Sequence, residues 1–474
     1  MLFNSLEFLL FLPTVFVLYW FVFKNQLRAQ NILLLVASYV FYGWWDWRFL
    51  SLIVLSTAID YFVGLQLEKT AESSKRKLLL GLSLTANLGM LGFFKYFNFF
   101  VQSWVDAWAS VGVTMQGTTL EIILPVGISF YTFQTLSYTI DIYRKQLQPT
   151  KSFIDFAAFV TFFPQLVAGP IERASNLLPQ FYKKRVFQYD QAVSGIHLIL
   201  WGLFKKVVIA DSCAIYVNEI FENYENLDSL TLLLGSVYFA FQIYGDFSGY
   251  SDMAIGIARL FGFDLMRNFN YPYFSRDIAE FWRRWHISLS TWFRDYVYIP
   301  LGGSQGGVWF QVRNTFIIFM VSGFWHGANW TFLVWGFLNA LYFLPLLLRG
   351  KNRTHLGTIQ LGWDFQSART LLSILSTFLL TCLAWVFFRA DSIYIAWNYL
   401  LNIFSFTFDK NAFNYITKSI IIIFSFFLFL EWKNRNNSNP LSGKYQLIKI
   451  ILVFLMLVLF GNFYEINEFI YFQF

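Results

Sequence analysis

His326 stands near the middle of a long uncharged stretch, and the sequence contains only three other histidines. Between Arg313 and Arg349 lie 35 residues without a single Asp, Glu, Lys or Arg. A polar ring at membrane depth is costly unless it faces protein or water. With an unperturbed pKa of about 6.5, an imidazole takes up and releases protons near neutral pH. His326 is therefore a candidate for proton-transfer chemistry, and the alternative is a histidine that bonds a neighbouring helix as part of the packing.

The residues around His326 predict a break in the helical structure. Gly323 and Gly327 bracket the ring at a spacing that permits close helix approach or a chain break. The uncharged stretch is also longer than the ~20 residues that one span needs. We therefore expect two spans that meet near His326, where irregular backbone is tolerated only around a cavity.

His286 is the second candidate, in Phe-Trp-Arg-Arg-Trp-His-Ile-Ser-Leu-Ser-Thr-Trp-Phe-Arg-Asp-Tyr (281–296). If this segment is one continuous helix, a single polar stripe contains Arg284, Ser288, Thr291 and Asp295. His286 then falls on the opposite face and points toward the protein interior, as a satisfied core histidine also would. Three arginines, Arg283, Arg284 and Arg294, contact lipid headgroups or hold a phosphate-bearing donor.

Other familiar chemical signatures are missing from the sequence. It has no Gly-x-x-x-x-Gly-Lys loop, no His-x-x-x-His pair and no Gly-x-Ser-x-Gly elbow. Cys213 and Cys382 lie in apolar segments and predict neither a disulfide framework nor a metal cluster. We predict no bound metal, and we assign His197 to a packed helix and His355 to a polar loop.

Three polar or broken segments inside apolar surroundings remain ambiguous between cavity lining and packing. The cluster 245–252, Gly-Asp-Phe-Ser-Gly-Tyr-Ser-Asp, is predicted to end an apolar span. Segment 125–134 carries hydroxyls and an amide within a predicted span, and the prolines in 153–170 predict a re-entrant or interfacial element.

The composition is that of a membrane protein. The chain is 57% hydrophobic and 13% charged, whereas a soluble protein has about a quarter charged residues. We predict spans near 4–23, 30–45, 49–66, 78–97, 119–140, 192–219, 229–245, 312–348 (two spans), 370–388, 415–432 and 446–462. Segment 263–311 is expected to form surface or partly inserted helices and loops on the cytoplasmic face. The net charge of +7 then reflects basic cytoplasmic loops rather than nucleic-acid binding.

The charge of the loops predicts the orientation of the chain. Basic residues follow the first, third and fifth predicted spans, which places the N-terminus outside by the positive-inside rule. The N-terminus is read as a first span rather than a removable signal peptide. The polar stretches between spans are too short to fold alone, so we predict one membrane domain over residues 1–474.

The order of the motifs resembles that of a known family. The landmarks are Pro-Val-Gly-Ile-Ser-Phe-Tyr-Thr-Phe-Gln (125–134), Phe-Phe-Pro-Gln-Leu-Val-Ala-Gly-Pro-Ile (162–171), Asp-Phe-Ser-Gly-Tyr-Ser-Asp (246–252), the segment 281–296, Ile-Pro-Leu-Gly-Gly (299–303) and Phe-Trp-His-Gly-Ala-Asn-Trp (324–330). Over nearly its full length the chain looks like a membrane-bound O-acyltransferase of the bacterial, alginate O-acetyltransferase-like branch. Residues 304–311 depart from the pattern, because relatives often carry more basic residues there.

The resemblance implies a fold and a site. The expected fold is all-α, a ring of roughly 11–12 transmembrane helices around a central tunnel. The histidine of Trp-His-Gly, His326, would be the essential catalytic residue, and His286 a second functional position. A base near neutral pH suits acetyl transfer from a thioester to a hydroxyl. Trp325 and Asn329 are candidates for stabilising the oxyanion, and Arg284 for lining the substrate tunnel.

The resemblance also implies substrates and partners. The expected donor is acetyl-CoA or another acyl thioester at the cytoplasmic face, with no bound cofactor. The expected setting is the lipid of the bacterial inner membrane, with a periplasmic SGNH-type acetyltransferase or polysaccharide machinery as partner and no nucleic acid. The acceptor would be an exported polysaccharide such as alginate, or peptidoglycan. Two alternatives stay open: D-alanyl transfer to teichoic acid on the same fold, and a transporter without chemistry, marked by carboxylates within spans such as Asp60.

Overall fold

A computed structural model describes residues 1–359, 365–463 and 469–470, with the side chains of Lys410 and Asn411 left out. Every regular element in these ranges is helical, which confirms the all-α prediction. The chain forms two compact units, Met1–Ala192 with Ile257–Met266, and Val193–Gly256 with Arg267–Phe474. The prediction of one domain over 1–474 stays a prediction.

The first unit contains eight complete helices. They are α1 Leu6–Val17, α2 Leu27–Asp46, α3 Leu50–Lys69, α4 Ser73–Leu91, α5 Phe97–Ser110, α6 Ile128–Tyr143, α7 Phe153–Thr161 and α8 Ala174–Tyr182. Two helices, α9 Tyr189–Phe204 and α11 Ser229–Leu260, continue from one unit into the other.

The second unit holds the remaining helices. They are α10 Asp211–Glu222, α12 Ile278–Arg284, α13 Ile287–Phe293, α14 Val308–His326, α15 Trp330–Leu348, α16 Phe365–Arg389, α17 Ile393–Ile403, α18 Lys418–Lys433 and α19 Gln446–Phe460. Wider π-helical turns connect several of them at Leu18–Val22, Gly92–Tyr96, Lys205–Ala210 and Arg294–Tyr298, and short 3-10 segments lie at Trp47–Phe49, Tyr224–Asn226, Pro272–Phe274 and Lys410–Tyr415.

Among the described residues, five helical stretches are long and apolar enough to cross a membrane, judged by length and composition. They are Leu27–Lys69, Ser73–Ser110, Ser229–Leu260, Trp330–Leu348 and Phe365–Arg389. Shorter apolar helices lie at Leu6–Val22 and Gln446–Phe460. These stretches agree with a polytopic membrane protein, whereas the ring of roughly 11–12 helices and its tunnel stay predictions.

The predicted span 119–140 is wrong in its first half. Residues 113–125 form no regular structure, and α6 begins only at Ile128. Pro125 disfavours helical backbone in the residue before it, and Gly127 adopts a left-handed φ of 75°. The helix that follows is buried on nearly every face and therefore lies inside its unit.

The cluster 245–252 does not end a span, contrary to the prediction. Helix α11 continues through it to Leu260, because buried partners satisfy its carboxylates. Lys206 Nζ lies 2.7 Å from Asp246 Oδ1 and 3.0 Å from Asp211 Oδ1. Lys205 Nζ lies 2.7 Å from Asp252 Oδ2. A paired charge costs far less to bury than an isolated one, so the helix does not need to stop there.

Asp60, the carboxylate within a predicted span, is held by the interior of the first unit. Thr139 Oγ1 and Asn87 Nδ2 each donate to it at 2.8 Å, and Ser83 Oγ donates as well. Donors from α4 and α6 therefore surround the carboxylate, which explains its place inside a helix without a transport pathway.

Candidate active site

The hairpin of α14 and α15 positions His326 at the C-terminal end of α14. The two helices cross where glycines face each other: a Cβ on Gly323 would strike the carbonyl oxygen of Phe332, and one on Gly336 would strike that of Phe319. Gly327 then leaves the helix in extended backbone, packed against the Phe332 ring. The predicted close approach and the predicted break between two helices are both confirmed.

His326 is 3% exposed and lies among aromatic rings. Its ring centroid lies 4.9 Å from that of Trp325 and 5.2 Å from those of Trp335 and Phe388. These rings come from α14, α15 and α16, so three helices must assemble to form the pocket. Hydrogen bonds and charges act more strongly in such apolar surroundings than in water.

His286 does not lie within a continuous helix, so the prediction for 281–296 is wrong. Helix α12 ends at Arg284, α13 begins at Ile287, and His286 between them has a left-handed φ of 43°. A non-glycine residue in this conformation is uncommon and often marks a functional position. The imidazole points into the protein, and the residue is only 1% exposed. The expected interior position is therefore confirmed, although a helix break produces it rather than the face of a continuous helix.

The environment of His286 keeps its ring neutral. Burial lowers the pKa of His286 to about 3. The ring centroid lies 4.7 Å from that of Phe247, and Nδ1 lies 3.1 Å from Oδ1 of the fully buried Asn268. A neutral imidazole has one nitrogen that donates a hydrogen bond and one that accepts.

Both histidines line one cavity of about 540 Å³ in the second unit. Their ring centroids are 6.5 Å apart. The other lining residues are Ala279, Trp282, Arg283, Leu289, Ser290, Phe293, Arg294, Tyr298, Ser304, Thr315, Ile318, Phe319, Ser322, Phe343, Leu347, Asn352, Arg353 and Leu356. Three arginines beside largely apolar walls suit a ligand with a negatively charged end and an uncharged end.

The other residues singled out in the sequence, Trp325, Asn329 and Arg284, are not among those that line this cavity. Asn329 caps α15, with Oδ1 accepting from the Thr331 N–H at 3.0 Å, while Nδ2 donates to the Asp391 carbonyl at 2.9 Å. Arg284 Nη2 lies 2.7 Å from Glu280 Oε1. Their proposed contacts with substrate stay predictions.

Arg283 and Arg294, which the sequence also singled out, do line the cavity. Arg283 donates to the carbonyls of Asn352 and His355 at 2.8 and 3.0 Å, and Arg294 Nε lies 2.7 Å from Asp295 Oδ1. The two carbonyls hold the Arg283 guanidinium group in the cavity wall, whereas the Arg294 side chain is largely exposed.

Two features of the second unit escaped the sequence reasoning. Asn268 contacts His286 from 18 residues away, in a loop without regular spacing, so no local pattern marked it. Lys205 and Lys206 could have been found, because two adjacent lysines inside the apolar segment 192–219 require buried carboxylates.

Comparison with known proteins decides the family. The model of the membrane-bound O-acyltransferase family matches residues 73–363. A probable alginate O-acetylase of Pseudomonas aeruginosa is 42% identical over 86% of this chain and 75% of the relative. The chain belongs to the membrane-bound O-acyltransferase family. It is therefore an acyltransferase, and the resemblance seen in its motifs is confirmed.

The chain is also similar to two proteins with other named activities. The peptidoglycan O-acetyltransferase of Helicobacter pylori is 39% identical over 83% of this chain and 78% of its own length. The teichoic acid D-alanyltransferase of Bacillus subtilis is 28% identical over 56% of this chain and 68% of its own length. The acetyltransferases are thus more similar to this chain, and over more of it, than the D-alanyltransferase.

Proposed function

We propose that this acyltransferase moves an acetyl group from a cytoplasmic thioester donor, acetyl-CoA or a similar thioester, across the bacterial inner membrane. The acceptor is a hydroxyl of an exported polysaccharide, alginate-like or peptidoglycan, reached directly or through a periplasmic SGNH-type partner. The observation that carries the proposal is the pair of buried histidines, His286 and His326, on one cavity. In this proposal the N-terminus lies outside.

The reaction needs two proton transfers, one from the acceptor hydroxyl to the protein and one from the protein to the leaving thiolate. A hydroxyl oxygen attacks the acetyl carbonyl, the C–O ester bond forms, and the C–S bond of the thioester breaks. The hydroxyl proton passes to an imidazole and then to the departing thiolate, so the protein ends unchanged. A positioned base contributes about 10² to 10⁴ in rate. His326 takes this role or briefly carries the acetyl group itself.

The residues that line the cavity suit a thioester donor rather than a free ion. Apolar side chains surround the histidines and protect a reactive thioester from hydrolysis. Arg283, Arg294 and Arg353 supply positive charge for the phosphates of a donor such as acetyl-CoA. Trp325, Asn329 and Arg284 stay as candidates for the oxyanion and the tunnel.

Two observations favour acetyl transfer over the alternatives. The acetyltransferase relatives are 42% and 39% identical over more than four-fifths of the chain, against 28% over 56% for the D-alanyltransferase. A transporter would keep carboxylates facing a pathway. Asp60, Asp246 and Asp252 instead bind buried partners within their own units.

The deciding experiment compares the acylation of cell-envelope glycans in cells with and without the gene, by mass spectrometry. The proposal predicts loss of O-acetyl groups from one polysaccharide on deletion and their return on complementation. Loss of D-alanine esters with unchanged acetylation would replace acetyl by D-alanyl transfer. In parallel, the purified protein in lipid nanodiscs should consume labelled acetyl-CoA, and no consumption of any acyl thioester would contradict enzymatic transfer.

A further inference from the structure

The buried amide of Asn268 contacts His286 and the start of α13 at once. Asn268 Oδ1 lies 3.1 Å from His286 Nδ1, 2.9 Å from Ser288 Oγ and 3.3 Å from the Ser288 backbone nitrogen. On the other side of the amide, Nδ2 donates to Ser251 Oγ at 3.2 Å. Backbone bonds hold the same segment, since the Ile287 N–H donates to the Asn268 carbonyl at 2.9 Å.

These contacts fix the orientation of the amide. A backbone N–H can only donate, so the side-chain atom of Asn268 that faces Ser288 N must be the carbonyl oxygen. The opposite orientation would set the amide NH₂ against a donor. The assignment thus follows from the chemistry of the neighbours rather than from the shape of the side chain, which looks the same in both orientations.

The orientation of the amide in turn fixes the protonation of the histidine. Because Asn268 Oδ1 only accepts, His286 Nδ1 must carry the proton and donate. The other tautomer would place the lone pair of Nδ1 against an oxygen lone pair inside the protein interior. A neutral ring protonated on Nδ1 has its lone pair on Nε2.

We propose that Asn268 is a positioning residue of the acyl transfer, which holds His286 in the Nδ1–H tautomer so that Nε2 serves as a hydrogen-bond acceptor. The inference rests on the proposed function, because it assigns a role in that reaction to a residue outside the cavity lining. In this arrangement His286 orients the acceptor by accepting a hydrogen bond from a group other than the reacting hydroxyl, while His326 takes the proton of the reacting hydroxyl or briefly carries the acetyl group.

Aromatic rings also surround His286. Phe247, Phe269 and Trp325 contact the ring, and none of them is charged. The titratable ring of His326 lies 6.5 Å from it, centroid to centroid. An uncharged partner such as an asparagine keeps the imidazole neutral, whereas a carboxylate in its place would favour the imidazolium.

The tautomer can be read directly, because the chain has only four histidines. The full-length protein, labelled with ¹⁵N-histidine in lipid nanodiscs, gives nitrogen shifts that separate protonated from unprotonated ring nitrogens. The His286→Asn variant identifies the His286 signals by their loss, and asparagine tolerates the left-handed backbone. We expect Nδ1 protonated and Nε2 unprotonated, and a ring protonated on Nε2 would overturn the inference.

Two substitutions at Asn268 separate tautomer control from simple packing. Asn268→Ala removes the acceptor, and we expect His286 to lose its fixed Nδ1–H form and kcat to fall about 10- to 100-fold, the range found for residues that orient metal-binding histidines. Asn268→Asp keeps the acceptor, so the Nδ1–H form should persist. Its carboxylate stabilises the imidazolium, so activity should be lost at a higher pH on the acid side than in the wild type.

A matched control and a separate readout complete the test. Asn434 is another buried asparagine of the same unit, and it binds Leu430 and Lys449 rather than a histidine. Asn434→Ala should leave the His286 tautomer and the acid limb unchanged. An unchanged tautomer in Asn268→Ala would overturn the inference even if activity fell. Absence of acetyl transfer in the wild type would instead contradict the proposed function, and the nitrogen shifts would still decide the tautomer.

Discussion

His286 and His326 lie with their ring centroids 6.5 Å apart on the wall of one cavity, although 40 positions separate them in the sequence. One ring lies at a break between two short helices and the other at the end of a long helix. Both positions are interruptions of helical structure, where a side chain can point into a cavity. The two imidazole rings therefore lie close enough together to contact one small ligand.

Replacing His326 should abolish acetyl transfer and leave the fold intact. His326→Ala removes the base or acyl carrier, and we expect a loss of at least about 10² in kcat. The measurement is acetylation of the polysaccharide in cells together with acetyl-CoA consumption by the purified protein. His355→Ala is the control, because His355 is half-buried and outside the cavity lining. Retained product acetylation in His326→Ala would contradict the assignment.

Filling the cavity should block the reaction without unfolding the protein. Ser322 lies one turn before His326 and lines the cavity, so Ser322→Phe would place a ring where the substrate is expected. Misplacing a substrate by about 1 Å can cost roughly 10²-fold in rate, and we expect a loss of that size in kcat/KM. Val321→Phe adds the same ring on an exposed position of α14 and should keep activity. Equal activity in the two variants would show that substrate does not occupy the cavity.

The crossing of α14 and α15 should be intolerant of a single methyl group. Gly323→Ala would press its Cβ against the Phe332 carbonyl, and we expect destabilisation of about 1–3 kcal/mol from overpacking. Thermal unfolding in detergent measures the effect. Gly81→Ala, on α4 with open space around it, should be neutral or slightly stabilising because alanine favours helix. A Gly323→Ala protein as stable as Gly81→Ala would contradict this packing.

The buried lysine of the second unit should be essential to its stability. Lys206→Met leaves Asp211 and Asp246 without their cation, and breaking a buried ion pair costs about 3–5 kcal/mol. Adding Asp211→Asn and Asp246→Asn should restore part of the thermal stability, because no buried charge then remains unpaired. Lys75→Met, which removes an exposed pair with Glu72, should change stability by less than about 1 kcal/mol. No difference between the two lysine variants would refute the network.

Glu280 should make the protein sensitive to acid. Burial alone would raise the pKa of this carboxyl, but hydrogen bonds from Arg276 and the charges of Arg276 and Arg284 bring the pKa below its usual value. Its stabilising contribution is therefore present above the pKa of the unfolded chain and lost as pH falls through the folded pKa. Glu280→Gln should lower the unfolding free energy by about 2 kcal/mol at pH 7 and by progressively less in acid. A stability difference that is independent of pH would argue against the pairing.

The sequence by itself determined the membrane class and the family, and it singled out the two histidines that line the cavity. Local properties carried these conclusions: an uncharged stretch longer than one span, glycines beside His326, and motifs in a fixed order. The break at Gly327 could be predicted for the same reason, because an uncharged stretch longer than one span must contain a turn between two helices. The start of α6 at Ile128 does not follow from hydropathy, because the apolar residues before Pro125 continue the hydrophobic pattern without forming helix.

Only the tertiary structure decided which residues meet. Asn268 reaches His286 through a loop, and Lys206 reaches Asp246 from another helix, so no sequence period records either contact. The same contacts decided local structure against expectation: buried ion pairs let α11 run through 245–252, and packing holds His286 in a left-handed conformation. Burial makes the pairing of polar groups a condition of folding, and such partners are chosen by proximity in space rather than along the chain.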